Sequence, residues 1–162
     1  MYRVGILTAS DRGAAGERED LSAAAIKEII SGLGWQVTAY RIVPDDIDTL
    51  KEALIDMADL ERLDLVLTTG GTGFSPRDNT PEATRLVIER EVPGIPEVMR
   101  AESLKKTPRA MLSRAVAGIR GGTLIINLPG SRKAVVECLE AIVVSLPHGL
   151  EILTGRGGEC GA

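Results

Sequence analysis

Apolar residues along the chain fall into two alternating kinds of run. Short runs at 3–8, 35–43, 63–67 and 123–128 are dense in Val, Ile and Leu and read as strands, the last of them strongly apolar and central. Between them, apolar residues recur at helical spacing. Ala24, Ala25, Ile29, Ile30 and Leu33 make one face, opened by Asp20 or Ser22 and stopped by Gly32 and Gly34. Leu50, Leu54, Met57 and Ala58 make a second behind Asp46 or Asp48, and residues 83–90 are amphipathic. A helix from Pro96 to Lys105, a short one around Ala110, Met111 and Leu112, and a last face of Val135, Cys138, Leu139, Ile142 and Leu146 follow. Gly121-Gly122 divides residues 115–128 into two β runs, a hairpin signal. This order predicts an α/β fold of three layers, α/β/α, with a mixed, mostly parallel sheet and its antiparallel part at 115–128. No repeat or linker divides the chain, so one domain is expected over residues 1–154, with a disordered tail at 155–162.

Composition narrows the function classes. Aromatic residues are only 2% of the chain, so the core must be built from Leu, Ile, Val and Ala, and no set of stacking platforms exists for single-stranded nucleic acid. A net charge of −4 argues against binding nucleic acid by phosphate neutralisation, but not against a nucleotide enzyme with a local basic pocket. Cys138 lies on an apolar helix face and reads as core, and Cys160 reads as an exposed thiol. The pair matches no metal spacing and points to a reducing compartment. The first residues run straight into a strand without a signal-peptide core, and no run approaches the ~20 apolar residues of a membrane span. A cytoplasmic protein is expected, with neither membrane nor nucleic acid as partner.

The chemistry concentrates at 63–84, LDLVLTTGGTGFSPRDNTPEAT, which reads as strand, glycine-rich bend and helix. Thr80 is placed as the N-cap, Pro81 at the first helical position and Glu82 at the positive end of the dipole. Gly70, Gly71 and Gly73 let backbone N–H groups approach a ligand, so the bend is either an anion site or a set of tight turns. Pro76 stands where a dinucleotide fingerprint needs its third glycine, and Gly-Lys-Ser/Thr is absent, which excludes both commoner phosphate loops. Leu128-Pro129-Gly130-Ser131 repeats the arrangement more briefly, with Ser131 as cap. Acidic groups stand at three strand ends: Asp11 beside Ser10, Asp45, and Asp78 beside Arg77. Asp11 and Asp45 are read either as rim residues or as turn formers. Trp35 is assigned to packing and His148 to structure or surface. With no cysteine nucleophile, histidine base, HExxH or GxSxG, the set suits phosphoryl or nucleotidyl transfer, in which one or two carboxylates and the substrate phosphates hold Mg2+.

The string TTGGTGFSPRDNTPEAT at 68–84 closely resembles the signature of the molybdopterin adenylyltransferase family of molybdenum-cofactor biosynthesis. The resemblance extends to ILTASDR at 6–12, VPDD at 43–46 and ESLKKTPRAMLSRAVAGIRGGTLIINLPGS at 102–131, covering nearly the whole chain. It implies a molybdopterin-binding domain that uses Mg-ATP to adenylylate molybdopterin, with release of pyrophosphate. It also implies a homotrimer and hand-over of the product to a molybdate-insertion enzyme. Carried over by position, Asp45 and Asp78 are the catalytic aspartates and organise Mg2+, directly or through water. Ser113 seats the pterin. Thr69, Gly70, Gly71, Thr72, Gly73, Ser75, Arg77 and Thr80, with Pro129, Gly130 and Ser131, match the substrate-binding loops, and Ser10 and Asp11 their rim. Arg132-Lys133 departs from the uncharged residues often found there, adding either positive charge for phosphates or a plain helix surface. The competing readings are a non-catalytic pterin-binding member of the superfamily and a generic nucleotide-binding module. An interaction-only domain leaves both glycine loops unexplained.

Overall fold

The computed structural model describes residues 1–157. Six strands, β1 (Arg3–Ala9), β2 (Gln36–Val43), β3 (Leu65–Thr69), β4 (Arg90–Glu91), β5 (Ala117–Arg120) and β6 (Thr123–Leu128), form one sheet in the order β2-β1-β3-β6-β5-β4. Pairings β1–β2, β1–β3 and β3–β6 are parallel, and β5–β6 and β4–β5 antiparallel. Strands β3 and β6 are buried throughout and β1 is buried beyond Arg3, which explains their unbroken apolar runs. Alternation sends Ile6, Leu65, Leu67 and Ile126 into one core and Leu7, Val66 and Ile125 into the other.

Helices α2 (Leu21–Gly32), α5 (Gly94–Leu104), α6 (Arg132–Ile142) and α7 (Leu146–Thr154) cover the first core through Ile26, Met99, Leu139 and Leu150. Helices α3 (Ile47–Ile55) and α4 (Thr80–Val87) cover the second through Leu50, Leu54 and Val87. The layers are therefore α/β/α with a mixed, mostly parallel sheet, as the hydrophobic pattern predicts. Trp35 stands edge-on to Tyr2 with centroids 5.1 Å apart, a packing contact, and His148 is exposed on α7.

Several boundaries differ, each for a physical reason. The buried face of α2 is Ser22, Ala23, Ala25, Ile26 and Ile30, whereas Ala24 and Leu33 are exposed. Ser22 tolerates burial because its hydroxyl donates to the Gly130 carbonyl at 2.7 Å, and this turns the face away from the one predicted. The amphipathic run 83–90 leaves the helix after Val87, because Glu89 and Val92 donate their N–H groups to Ile119 and Ala117 and add β4 to the sheet edge. The last helix breaks into α6 and α7: Pro147 lacks an N–H and its ring would clash with the Val143 carbonyl in a continuous helix. Residues 11–14, where Asp11 is read as a rim residue or a turn former, form a one-turn helix, α1 (Asp11–Ala14). Asn127, in a strand read as apolar, is wholly buried; its amide donates to Thr68 Oγ1 (3.1 Å) and Thr84 Oγ1 (2.9 Å), and its Oδ1 accepts the Val116 N–H. Of the predicted tail, residues 155–157 close α7, with Arg156 3.1 Å from Asp64; Cys160 lies outside the described residues.

Candidate active site

The carboxyl ends of β2, β1, β3 and β6 lie side by side. The chain passes from β1 outward to β2 and then back across to β3, leaving a crevice at the switch point. Ser10, just beyond β1, accepts the Gly13 N–H on its hydroxyl at 3.0 Å and so caps α1, placing Asp11 in the first turn. Asp11 and Asp45 are joined reciprocally. The Asp45 N–H donates to Asp11 Oδ1 (2.9 Å), and the Asp11 N–H donates to Asp45 Oδ2 (3.1 Å). Arg77 grips the same Asp11 carboxylate with Nε (3.0 Å) and Nη2 (2.8 Å), a bidentate pair that spans two loops.

The third acid is carried by the loop itself. Asp78 Oδ2 accepts the Ser75 N–H at 2.9 Å, folding 75–78 into a turn. Bare backbone faces both carboxylates: a Cβ on Gly71 would lie 3.4 Å from Asp45 Oδ1, and one on Gly73 would lie 2.9 Å from Asp78 Oδ2. Burial pushes the Asp45 carboxyl above its ordinary range against the lowering effect of the Asp11 N–H, and the charges of Asp11 and Asp78 add to the rise. The Arg77 hydrogen bonds hold Asp11 below its ordinary range. Among the described residues no three His, Cys, Asp or Glu side chains converge as a metal site. A divalent cation here would therefore draw on Asp45 and Asp78 together with oxygens of a bound phosphate, the manner in which Mg2+ is commonly held.

Of the remaining predicted residues, Thr69, Gly130 and Ser131 line one hollow together with Ser10, and Ser113 and Pro129 line its neighbour, whereas Gly70, Thr72 and Thr80 line neither. A cavity of ≈ 370 Å³ lies between Ser10, the start of α2 and the 128–131 turn, and Thr69, Gly130, Ser131, Arg18 and Arg132 line it. Thr69 donates its hydroxyl to the Pro129 carbonyl (2.7 Å), and Ser131 Oγ accepts the Ala134 N–H (3.3 Å) as the expected cap of α6. A second cavity of ≈ 210 Å³, largely apolar, holds Ser113 with Thr107, Arg109, Pro129 and Cys138. The turn at Pro129 thus divides the two. Burial of Cys138 pushes its thiol up, in keeping with a core residue.

Two predicted binders face inward. Thr80 is not the N-cap of α4: Asn79 holds that place, and Thr80 is wholly buried as the first helical residue, its hydroxyl without a hydrogen-bond partner beneath Gly71. Thr69 is also buried and its hydroxyl is taken by Pro129, so both threonines build the walls of the crevice. Sequence reasoning missed Asn79, Arg18 and Arg114 as parts of the site. The Asn79 amide donates to the Asp45 carbonyl at 3.0 Å and ties the acid-bearing loops together. Arg18 sits among acidic neighbours in a segment without periodicity, so no signal marks it.

Against this geometry, the pattern of the probable molybdopterin binding domain family matches residues 5–148. The chain belongs to that family. It is 48% identical over 155 residues to a molybdopterin adenylyltransferase of Helicobacter pylori, covering 94% of this chain and 88% of the relative. The Escherichia coli molybdopterin adenylyltransferase is 37% identical, covering 94% and 86%. Among solved structures of the family, the molybdopterin biosynthesis enzyme MoaB of Thermus thermophilus superposes with a TM-score of 0.91 at 56% identity, covering 96% of this chain and 98% of the other. No helix among the described residues is long and apolar enough to cross a membrane.

Proposed function

We propose that the chain is a molybdopterin adenylyltransferase, transferring the adenylyl group of ATP to the terminal phosphate of molybdopterin and releasing pyrophosphate. The carrying observation is the placement of Asp45 beside the bare backbone of Gly71 and of Asp78 beside that of Gly73, in a chain nearly half identical to an enzyme of that name. A molybdopterin phosphate oxygen attacks the α-phosphorus of ATP in line. The new O–P bond forms as the bond to the β-phosphate oxygen breaks, and the electron pair leaves with pyrophosphate. Two anions must meet, so charge neutralisation and positioning dominate the barrier. Asp45 and Asp78 would hold Mg2+, directly or through water, and the cation would supply part of that neutralisation.

The chain's own residues provide the rest. The 70–73 backbone and the 129–131 turn receive phosphate oxygens at the N-termini of α4 and α6. Arg132 adds positive charge at the edge of the crevice, which gives the departure at that position a role, while the charge of Arg77 is taken up by Asp11. The largely apolar cavity beside Ser113 suits the pterin ring, with the Ser113 hydroxyl at its wall. Cytoplasmic location, a homotrimeric state and hand-over of the product to a molybdate-insertion enzyme belong to the same reading.

The test is an anaerobic turnover assay with molybdopterin, ATP and Mg2+, following adenylyl-molybdopterin by mass. Asp45→Ala and Asp78→Ala are each expected to lower turnover by about 100-fold or more with the fold intact. Wild-type rates in both variants would sink the assignment. Tight pterin binding without product would move the protein to the binding-only branch of the superfamily.

A further inference from the structure

Arg114 is placed differently from every other basic group at the crevice. Its main-chain N–H donates to the Thr72 carbonyl at 2.9 Å, while its Nε donates to the Gly73 carbonyl at 2.7 Å and its Nη2 to the Asp78 carbonyl at 2.8 Å. Nη1 and Nη2 also bond the Glu82 carboxylate in the first turn of α4. One residue therefore fastens both ends of the 72–78 loop. The side chain of Asp78 is bonded within that loop, to the Ser75 N–H, so the carboxylate moves wherever the loop moves. On the opposite side, the loop is held by the bidentate Arg77–Asp11 pair, which is about half exposed and so is screened by solvent, whereas the Arg114 contacts are part-buried.

We propose that Arg114 is a positioning residue, fixing the Asp78 carboxylate through the 72–78 backbone at the distance the reaction needs. The inference rests on the proposed adenylyl transfer. Arg114 directly follows Ser113, so the segment that borders the apolar cavity also holds the acid-bearing loop. A planar five-donor fork can serve two carbonyl groups and a carboxylate at once, whereas a lysine ammonium presents one point charge. Arg114→Lys keeps the charge beside Glu82 and loses the geometry.

The experiment compares wild type, Arg114→Lys, Asp78→Asn and the double variant by kcat, by KM for ATP and for molybdopterin, and by amide hydrogen exchange. Arg114→Lys is expected to lower kcat roughly 10- to 100-fold, the scale of a misplacement of about an ångström. KM for molybdopterin should stay within about threefold, since the pterin contacts are untouched. Exchange should quicken at 72–80 and stay unchanged in β1, β3 and β6. In the Asp78→Asn background, Arg114→Lys should cost little further, because it acts through the group already removed. Losses that multiply, an unchanged kcat, or faster exchange throughout the sheet would each overturn the proposal. If wild type itself makes no product, the reading of the reaction fails separately. Exchange at 72–80 then decides only whether Arg114 fastens the loop: an unaltered loop overturns that contact, and a loosened one upholds it.

Discussion

The turn from β6 into α6 and the turn from β3 into α4 join the same kinds of element at neighbouring strand ends, yet they are held by different means. The first takes three residues, 129–131, and is capped by its own Ser131. The second takes ten, 70–79. Asn79 occupies the cap position without making a side-chain cap bond, and the loop is fastened from a distance by Arg114, Asp11 and the Asp45 carbonyl. A short turn can be specified by local capping chemistry. A long one exposes a backbone that must find partners elsewhere, and those partners are where acidic groups can be set at chosen distances.

Glycine substitutions in the two turns should separate them most widely. Gly71 has φ +72°, and a Cβ there would meet Thr80 Oγ1 at 2.3 Å and Thr80 Cβ at 3.2 Å. Thr80 is wholly buried and cannot swing aside. Gly71→Ala thus combines left-handed strain with overpacking, together about 2–5 kcal/mol. In a domain of this size each kcal/mol lowers Tm by about 2–4 °C. Gly130→Ala meets nothing nearer than Gly70 Cα at 3.4 Å, an ordinary contact, and should cost less than about 1 kcal/mol. Because the Thr80 hydroxyl has no partner to lose, Thr80→Ala in the Gly71→Ala background should recover part of the loss. Thermal unfolding of the three variants beside wild type is the check, and equal shifts for the two glycines would abolish the distinction.

The same contrast explains what could be read in advance. Strand and helix order, the antiparallel hairpin and the Ser131 cap follow from local periodicity and side-chain chemistry, and the structure decides between the paired cap candidates in favour of Asp20 and Asp46, so the three layers were legible. The motif resemblance singled out Asp45, Asp78 and both glycine loops, and the fold brings these to neighbouring strand ends. It could not tell that Thr80 and Thr69 face inward, because their burial depends on the packing of Gly71 and Pro129 against them. Asn127 was hidden in an apolar run, since its satisfaction depends on Thr68 and Thr84 meeting across three elements. Arg114 lies in a segment without periodicity and contacts residues 32 to 42 positions away. Long-range hydrogen bonds leave no local pattern.

Removing the residue at each helix cap gives a smaller and more specific contrast. Ser131→Ala deletes a genuine cap bond and should cost about 1 kcal/mol, lowering Tm by a few degrees. Asn79→Ala deletes no cap bond but frees the Asp45 carbonyl. Its effect should appear mainly as a fall in kcat, with Tm shifted by less than in Ser131→Ala. A larger Tm loss for Asn79→Ala would mean that the long turn is held locally after all.

The smallest effect is also the most diagnostic, because it has opposite signs in two residues that bond each other. The Asp45 carboxyl is raised, chiefly by burial, so its favourable contribution to stability is present below the ordinary carboxylate pKa and is lost as pH rises through the folded value. Asp45→Asn should therefore unfold about 1–2 °C above wild type at pH 7, a small shift because solvent screens the group. The advantage should vanish as pH falls below the ordinary value of 3.8. Asp11 is lowered by Arg77, so its contribution is present above 3.8 and is lost as pH falls through the folded value. Asp11→Asn should unfold below wild type at pH 7, with the deficit closing in acid. Tm measured from pH 3 to pH 7 for both variants tests the pair. Parallel curves would show that the two carboxylates share one environment. Curves diverging toward neutral pH would show that Arg77 neutralises Asp11 and leaves Asp45 as the charge in need of a cation.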